Sequence, residues 1–287
     1  MLYEKFLDLL EEAVCRKLER QEKVRRVQIL KNNGVKLDGF SYQTEGRREQ
    51  PTVYVNDYYH KDLTIEELEQ ISELVVGIQR ESILSPENNF SQVLDYSRMK
   101  EQIFYKLISR KKNEELLERI PWLPWLDLAL VFYLRIPEHI IGSATALIHT
   151  SHMEYWGITL GELYRTASEN MKRLPIMLKP VEDFLDGYGM EVFSSGMYVL
   201  STEKREYGAA VIISPEIQGV CYETFGEDYY VLPSSIHELI LLPKSLAAGR
   251  GELERLVQEV NASCVSEEDY LSSRVYCYSS DLGQVKI

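Results

Sequence analysis

The run from Leu126 to Ile136 is apolar at almost every position, broken only by Asp127 and Arg135. It is rich in β-formers, and it falls short of the roughly 18 apolar residues that a membrane-spanning helix needs. A second such run, Ala144-Thr-Ala-Leu-Ile148, follows the turn from Pro137 to Gly142. The two are expected to pair antiparallel at the centre of a sheet.

The flanking segments set the fold class. Leu2, Phe6, Leu9, Leu10, Ala13, Val14 and Leu18 recur every three or four residues, the mark of an amphipathic helix. Val27-Gln-Ile-Leu30 and Val35-Lys-Leu37 flank Lys31-Asn-Asn-Gly34, and Asn-Gly suits a hairpin because both residues tolerate positive φ. Pro51–Val55 adds a strand with proline at its start, where no ladder donor is needed. Thr64-Ile-Glu-Glu67 is a capping box and opens a helix to about Gln79. After the loop Ser85–Asn89, the spacing of Val93, Tyr96, Met99, Ile103, Phe104 and Leu107 predicts a helix toward Ser109. A short helix from Asn113 should end at Pro121, with Pro124 enforcing the break.

Beyond the central strands, Thr159-Leu-Gly-Glu162 repeats the capping box ahead of a helix. Strands are expected at Met197–Leu200 and Gly208–Ile213, and on both sides of Pro233-Ser-Ser235 at Tyr229–Leu232 and Glu238–Leu242. A helix at about Gly251–Asn261, a short one begun by Ser266-Glu-Glu268, and a strand at Val275–Tyr278 complete the reading. Strands come in adjacent pairs separated by helices. This favours an α+β fold, a mixed and mainly antiparallel sheet packed with helices, over a doubly wound one. A division into two lobes, 1–112 and 113–287, is expected at the proline-rich break.

With 32 Lys and Arg against 45 Asp and Glu, the formal charge of −13 repels phosphate backbones and anionic headgroups. Nucleic acid and membrane are therefore disfavoured as partners, and Lys23–Arg26 and Arg110–Lys112 read as solvated helix ends. The first residues, Met1 to Phe6, lack the apolar region of a secretory signal, so a cytoplasmic location is expected. Cys15, Cys221, Cys264 and Cys277 form no C-x-x-C pair, which points to reduced thiols rather than a zinc ribbon. No motif asks for a cofactor.

No glycine-rich phosphate loop, G-x-S-x-G elbow or H-E-x-x-H helix is present. His237-Glu238 begins like the last of these, but the position four residues after His237 is Leu241. The most suggestive string is Ser234-Ser235-Ile-His237-Glu238, which brings hydroxyls, an imidazole and a carboxylate together. In extended chain Ser235 and His237 share a face and Glu238 takes the other, so one segment cannot supply a full triad. His149, His152 and Glu154 could begin a divalent-metal site, or could be a solvated hairpin tip. Nineteen tyrosines give modest support to partner binding, and Trp122–Trp125 reads as a wedge at a core corner.

Several strings carry a resemblance: Asp127-Leu-Ala-Leu-Val-Phe-Tyr133, Trp156-Gly-Ile-Thr-Leu-Gly-Glu-Leu163, Met197-Tyr-Val-Leu200 with Gly208-Ala-Ala210, Leu232-Pro-Ser-Ser-Ile-His-Glu238, and Glu259-Val-Asn261 leading into Tyr270-Leu-Ser272. Through most of residues 100–278 the chain resembles an uncharacterised bacterial family, domain of unknown function 5688. It departs from the family pattern at Ser201-Thr202, where Thr-Asn is expected, and at Met171, where Thr is expected. The resemblance implies no activity, but it groups Ser234, Ser235, His237, Glu238 and Asn261 as a shared cluster.

Two functions are carried forward. The leading one is a non-enzymatic binding or interaction protein of the bacterial cytosol, its partner unassigned and a protein one candidate. The alternative is a hydrolase or transferase using His237 as base with Ser234 or Ser235 as nucleophile. If the 233–238 string is structural, a serine should bond backbone at a bend, and His237 or Glu238 should reach a polar side chain elsewhere, with Asn261 expected in that role.

Overall fold

The computed structural model describes residues 1–19, 22–44, 52–84, 95–136, 144–184 and 196–287. The chain divides into two compact units. Among the described residues, the first unit holds 1–31 and 35–84, and the second holds 32–34 and everything from residue 95 onward. Every strand pairing in both is antiparallel. The fold is α+β, antiparallel sheets packed with helices. Among the described residues no helix is long and apolar enough to cross a membrane.

In the first unit, α1 (Tyr3–Lys17) and α2 (Ile65–Leu84) accompany the sheet β1 (Glu22–Leu30), β2 (Lys36–Thr44), β3 (Thr52–Tyr54). One face of α1 buries Phe6, Leu7, Leu10, Ala13 and Val14 in a cluster with Phe40, Tyr42, Val53, Val75 and Val76. Leu2 caps the helix and stays exposed. The expected capping box opens α2, with the Glu67 amide donating to Thr64 Oγ1 at 3.2 Å and the Thr64 amide donating to Glu67 Oε2 at 2.8 Å. These donors favour the ionised carboxylate and hold Glu67 below its usual range.

The hairpin between β1 and β2 turns through Asn33 (φ 59°) and Gly34 (φ 76°), the positive angles anticipated for this pair. Lys23–Arg26 lies within β1 rather than at a helix end, and Arg26 pairs with Glu4 at 2.8 Å.

The second unit contains two sheets. In the smaller one β6 (Leu128–Ile136) is the centre. It pairs with β4 (Ile103–Ser109) on one edge, and on the other with β5 (Trp122–Trp125) and then β7 (Ala144–Leu147). All of β6 except Arg135 is buried, which accounts for its continuous apolarity. The larger sheet runs β13 (Gln284–Lys286), β12 (Tyr276–Ser279), β10 (Tyr229–Pro233), β11 (Leu239–Pro243), β9 (Tyr198–Thr202), β8 (Ile176–Pro180). The helices α3 (Tyr96–Met99), α4 (Glu114–Leu117), α5 (Thr150–Trp156), α6 (Leu160–Met171), α7 (Pro215–Phe225) and α8 (Arg250–Cys264) complete the unit.

Four elements differ from the sequence reading. Of the helix expected to run to Ser109, Tyr96–Met99 is α-helical and Lys100–Gln102 a 3-10 turn, whereas Ile103–Ser109 is strand β4. Its aromatic and β-branched residues are buried on both faces, and continuous burial mimics helical spacing. Residues 95–112 lie in the second unit. Trp122–Trp125 forms a strand rather than a break, with Pro124 tolerated because β5 is at an edge. Gly208–Ile213 is a 3-10 segment, not a strand, and residues 266–269 form a turn rather than a helix.

A buried amide pair fixes one end of the second unit. Asn113 Oδ1 accepts from the Asn33 amide at 2.7 Å, while Asn113 Nδ2 donates to Asn33 Oδ1 at 2.9 Å and to the Ser109 carbonyl at 2.8 Å. Asn33 Nδ2 in turn donates to the carbonyls of Glu267 and Tyr270, each at 2.7 Å. Asn113→Ala strands several of these groups away from water, and each buried unsatisfied group costs about 1–3 kcal/mol. Denaturant unfolding of the variant is expected to show a loss of about 2–3 kcal/mol.

Candidate functional site

The hairpin β10–β11 turns through Ser234–Glu238. The Ser235 amide donates to the Glu238 carbonyl at 3.2 Å, and the His237 amide donates to Ser235 Oγ at 3.0 Å. A serine thus bonds backbone at the bend, as expected of a polar string between two apolar strands. Ser234 is half-buried and makes no side-chain hydrogen bond among the described residues. The string therefore does not aim a serine hydroxyl at the imidazole.

The His237 ring joins two other segments. Its Nδ1 accepts from the Tyr207 amide at 3.2 Å, and its Nε2 lies 3.2 Å from Asp269 Oδ1. A nitrogen that accepts from an amide carries no proton, so the proton sits on Nε2 and points at the carboxylate. Asp269 is itself held, its Oδ2 accepting from Ser266 Oγ at 2.8 Å. The expected partner was Asn261, but that side chain donates to the Ser272 carbonyl at 3.0 Å instead. It ties α8 to the following segment. Glu238 pairs with Arg205 at 2.6 Å.

Backbone contacts reinforce the same junction. Ser201 Oγ donates to the His237 carbonyl at 2.7 Å, and the Ile236 amide donates to the Asp269 carbonyl at 2.9 Å. Gly208 leaves no room for a side chain. A Cβ there would lie 2.2 Å from Ser201 Oγ and 2.7 Å from the His237 carbonyl.

A column of rings and cations stands on this junction. The Tyr207 ring stacks on His237 with centroids 5.3 Å apart and planes 16° from parallel, and Lys106 Nζ sits 4.1 Å from the centre of the Tyr207 ring. Tyr207 also meets Tyr133 edge-on at 4.8 Å. Arg135 pairs with Glu206 at 3.4 Å and covers Phe104 at 4.5 Å. Phe104 and Lys106 share one face of β4, opposite Tyr133 and Val131 of β6, so the sheet aims these groups at the turn 203–207. That turn holds Arg205 and Tyr207 at φ 52° and 50°. Positive φ in non-glycine residues costs on the order of 1 kcal/mol each and persists only where surrounding contacts enforce it.

The family model for the family of unknown function DUF5688 matches residues 3–280. The chain belongs to DUF5688. No curated protein and no solved structure matches the chain. In this DUF5688 member the matched span holds every group of the junction, from Lys106 to Asp269.

The histidines of the second candidate lie at the start of a helix rather than at a hairpin tip. His149 precedes α5, and its amide donates to His152 Nδ1 at 3.1 Å. Burial pushes both imidazoles below their ordinary range, Arg119 adding to this for His149 and His149 for His152. Among the described residues no three His, Cys, Asp or Glu side chains are grouped to hold a metal ion. All four cysteines are free thiols.

The sequence reading missed Tyr207, Arg205, Lys106 and Asp269. Only Asp269 had a local signal, the Ser266-x-x-Asp269 spacing of a capped turn, in which the Asp269 amide donates to Ser266 Oγ at 3.1 Å. His237→Ala removes the acceptor of the Tyr207 amide, the partner of Asp269 and the floor of the ring stack. A fall in stability of about 1–3 kcal/mol is expected in thermal melts, and an unchanged melting temperature would show the ring to be dispensable to the fold.

Proposed function

We propose that this chain is a non-enzymatic binding or interaction protein of the bacterial cytosol, soluble, with another protein as its partner. One observation carries the reading: both ring nitrogens of His237 are engaged, Nδ1 by the Tyr207 amide and Nε2 by Asp269. A general base needs a free lone pair within reach of the hydroxyl it activates, and here that lone pair is spent on backbone. Ser235 Oγ accepts from the His237 amide rather than donating to the imidazole. The exposed Arg205 and the half-buried Tyr207 on the junction belong to residue types that recognition surfaces favour, and the formal charge of −13 disfavours nucleic acid.

The alternative, a hydrolase or transferase with His237 as base and Ser234 or Ser235 as nucleophile, keeps one supporting observation. Asp269 stands where an acid would orient the ring. That mechanism requires Nδ1 to exchange the Tyr207 amide for a serine hydroxyl.

A pair of experiments separates the two readings. Immobilised protein is incubated with native bacterial lysate, and purified protein is treated with a fluorophosphonate probe that labels activated serines. Reproducible capture of one partner in stoichiometric amount, with Ser234 and Ser235 unlabelled, is the expected result. Labelling of either serine that disappears in His237→Ala, with no partner retained, would replace the binding reading with the enzymatic one.

A further inference from the structure

Strand alternation sends Lys106 toward the junction and Tyr105 to the opposite face of β4. On that face α6 and the start of α7 enclose a cleft of about 170 Å3. Tyr105 and Tyr164 stack along one side with centroids 6.2 Å apart and planes 19° from parallel, while Met171, Ile176, Val211 and Ile213 supply aliphatic wall. Nothing described so far uses this space.

The polar groups of the cleft are of two kinds. Lys172 and Glu216 are exposed, opposite in sign and in contact with water, and Lys172 lies 3.7 Å from Glu169. They give the opening no preference for a charged guest, since exposed charges of mixed sign are screened. Ser168 differs: its Oγ is shielded from solvent and has no hydrogen-bond partner among the described residues. A buried hydroxyl without a partner is costly, and a bound group that supplies one recovers that cost.

We propose that this cleft is a binding site for a neutral, single-ring aromatic molecule carrying one hydroxyl, a phenol-type ligand whose ring lies against Tyr105 and Tyr164 and whose hydroxyl bonds Ser168 Oγ. The size fits, since an apolar cavity of about 150 Å3 accepts benzene. The rings fit, since offset aromatic contacts favour an aromatic guest over an aliphatic one. Charge is disfavoured inside because no buried counter-charge lines the walls and burying an ion unpaired is expensive. The inference is independent of the protein-partner reading, because the two surfaces lie on opposite faces of β4.

The test is binding of p-cresol, toluene, benzoate and benzylamine to the full chain, each titrated by ligand-observed NMR. Saturable binding of p-cresol is expected, tighter than that of toluene and much tighter than that of either ion. Ser168→Ala should weaken p-cresol by about five- to tenfold, the worth of one hydrogen bond, and leave toluene within about twofold. Circular dichroism of the variant checks that it is folded. Failure of p-cresol to bind the folded protein, binding of either ion as tight as that of p-cresol, or equal loss of p-cresol and toluene in Ser168→Ala would each overturn the proposal. None of these results bears on partner capture.

Discussion

The His237 imidazole, bonded at Nδ1 by the Tyr207 amide and at Nε2 to Asp269, holds together three segments that are distant in sequence. The turn 203–207 reaches the hairpin β10–β11 through it, and Asp269 closes the ring's other side. The turn pays for its shape in positive φ at Arg205 and Tyr207, and the junction supplies the compensation through the ring stack, the Arg205–Glu238 pair and the close seat of Gly208. Removing any single contact leaves the others to hold the turn. Among the described residues, the imidazole bonds both of the other segments from the hairpin.

The smaller sheet gives this junction its surroundings. Because β6 is paired on both edges and buried on both faces, β4 beside it is fixed in register as well as in position. A shift of one residue would exchange Tyr105 and Lys106 between faces. The ammonium would then be driven into the apolar cleft and the phenol onto the Tyr207 ring. The register of one strand pair therefore decides that the polar junction and the apolar cleft lie back to back.

Much of this was legible in the chain. β6 announces itself because a strand buried on both faces has no polar alternation, and the capping boxes at Thr64 and Thr159 act over three residues. β4 was not legible because its continuous burial also satisfies helical spacing. Gly208–Ile213 was misread for a related reason: its apolar residues are buried by tertiary contact without a strand partner. The string Ser234–Glu238 could be singled out as polar chain between apolar strands, and its bend chemistry followed. Its partners could not be named, since Tyr207 and Asp269 lie 30 and 32 residues away, and no spacing rule reaches that far.

The central claim is that His237 is a neutral linker with its proton on Nε2 and its Nδ1 lone pair held by backbone. Nitrogen-15 NMR of the histidine side chains at pH 8 tests it directly, because a protonated ring nitrogen and a bare one differ widely in chemical shift. The account requires His237 to show a pyrrole-type Nε2 and a pyridine-type Nδ1, with a Tyr207 amide protected from exchange. A proton on Nδ1, or rapid averaging of the two tautomers with a fast-exchanging Tyr207 amide, would contradict it.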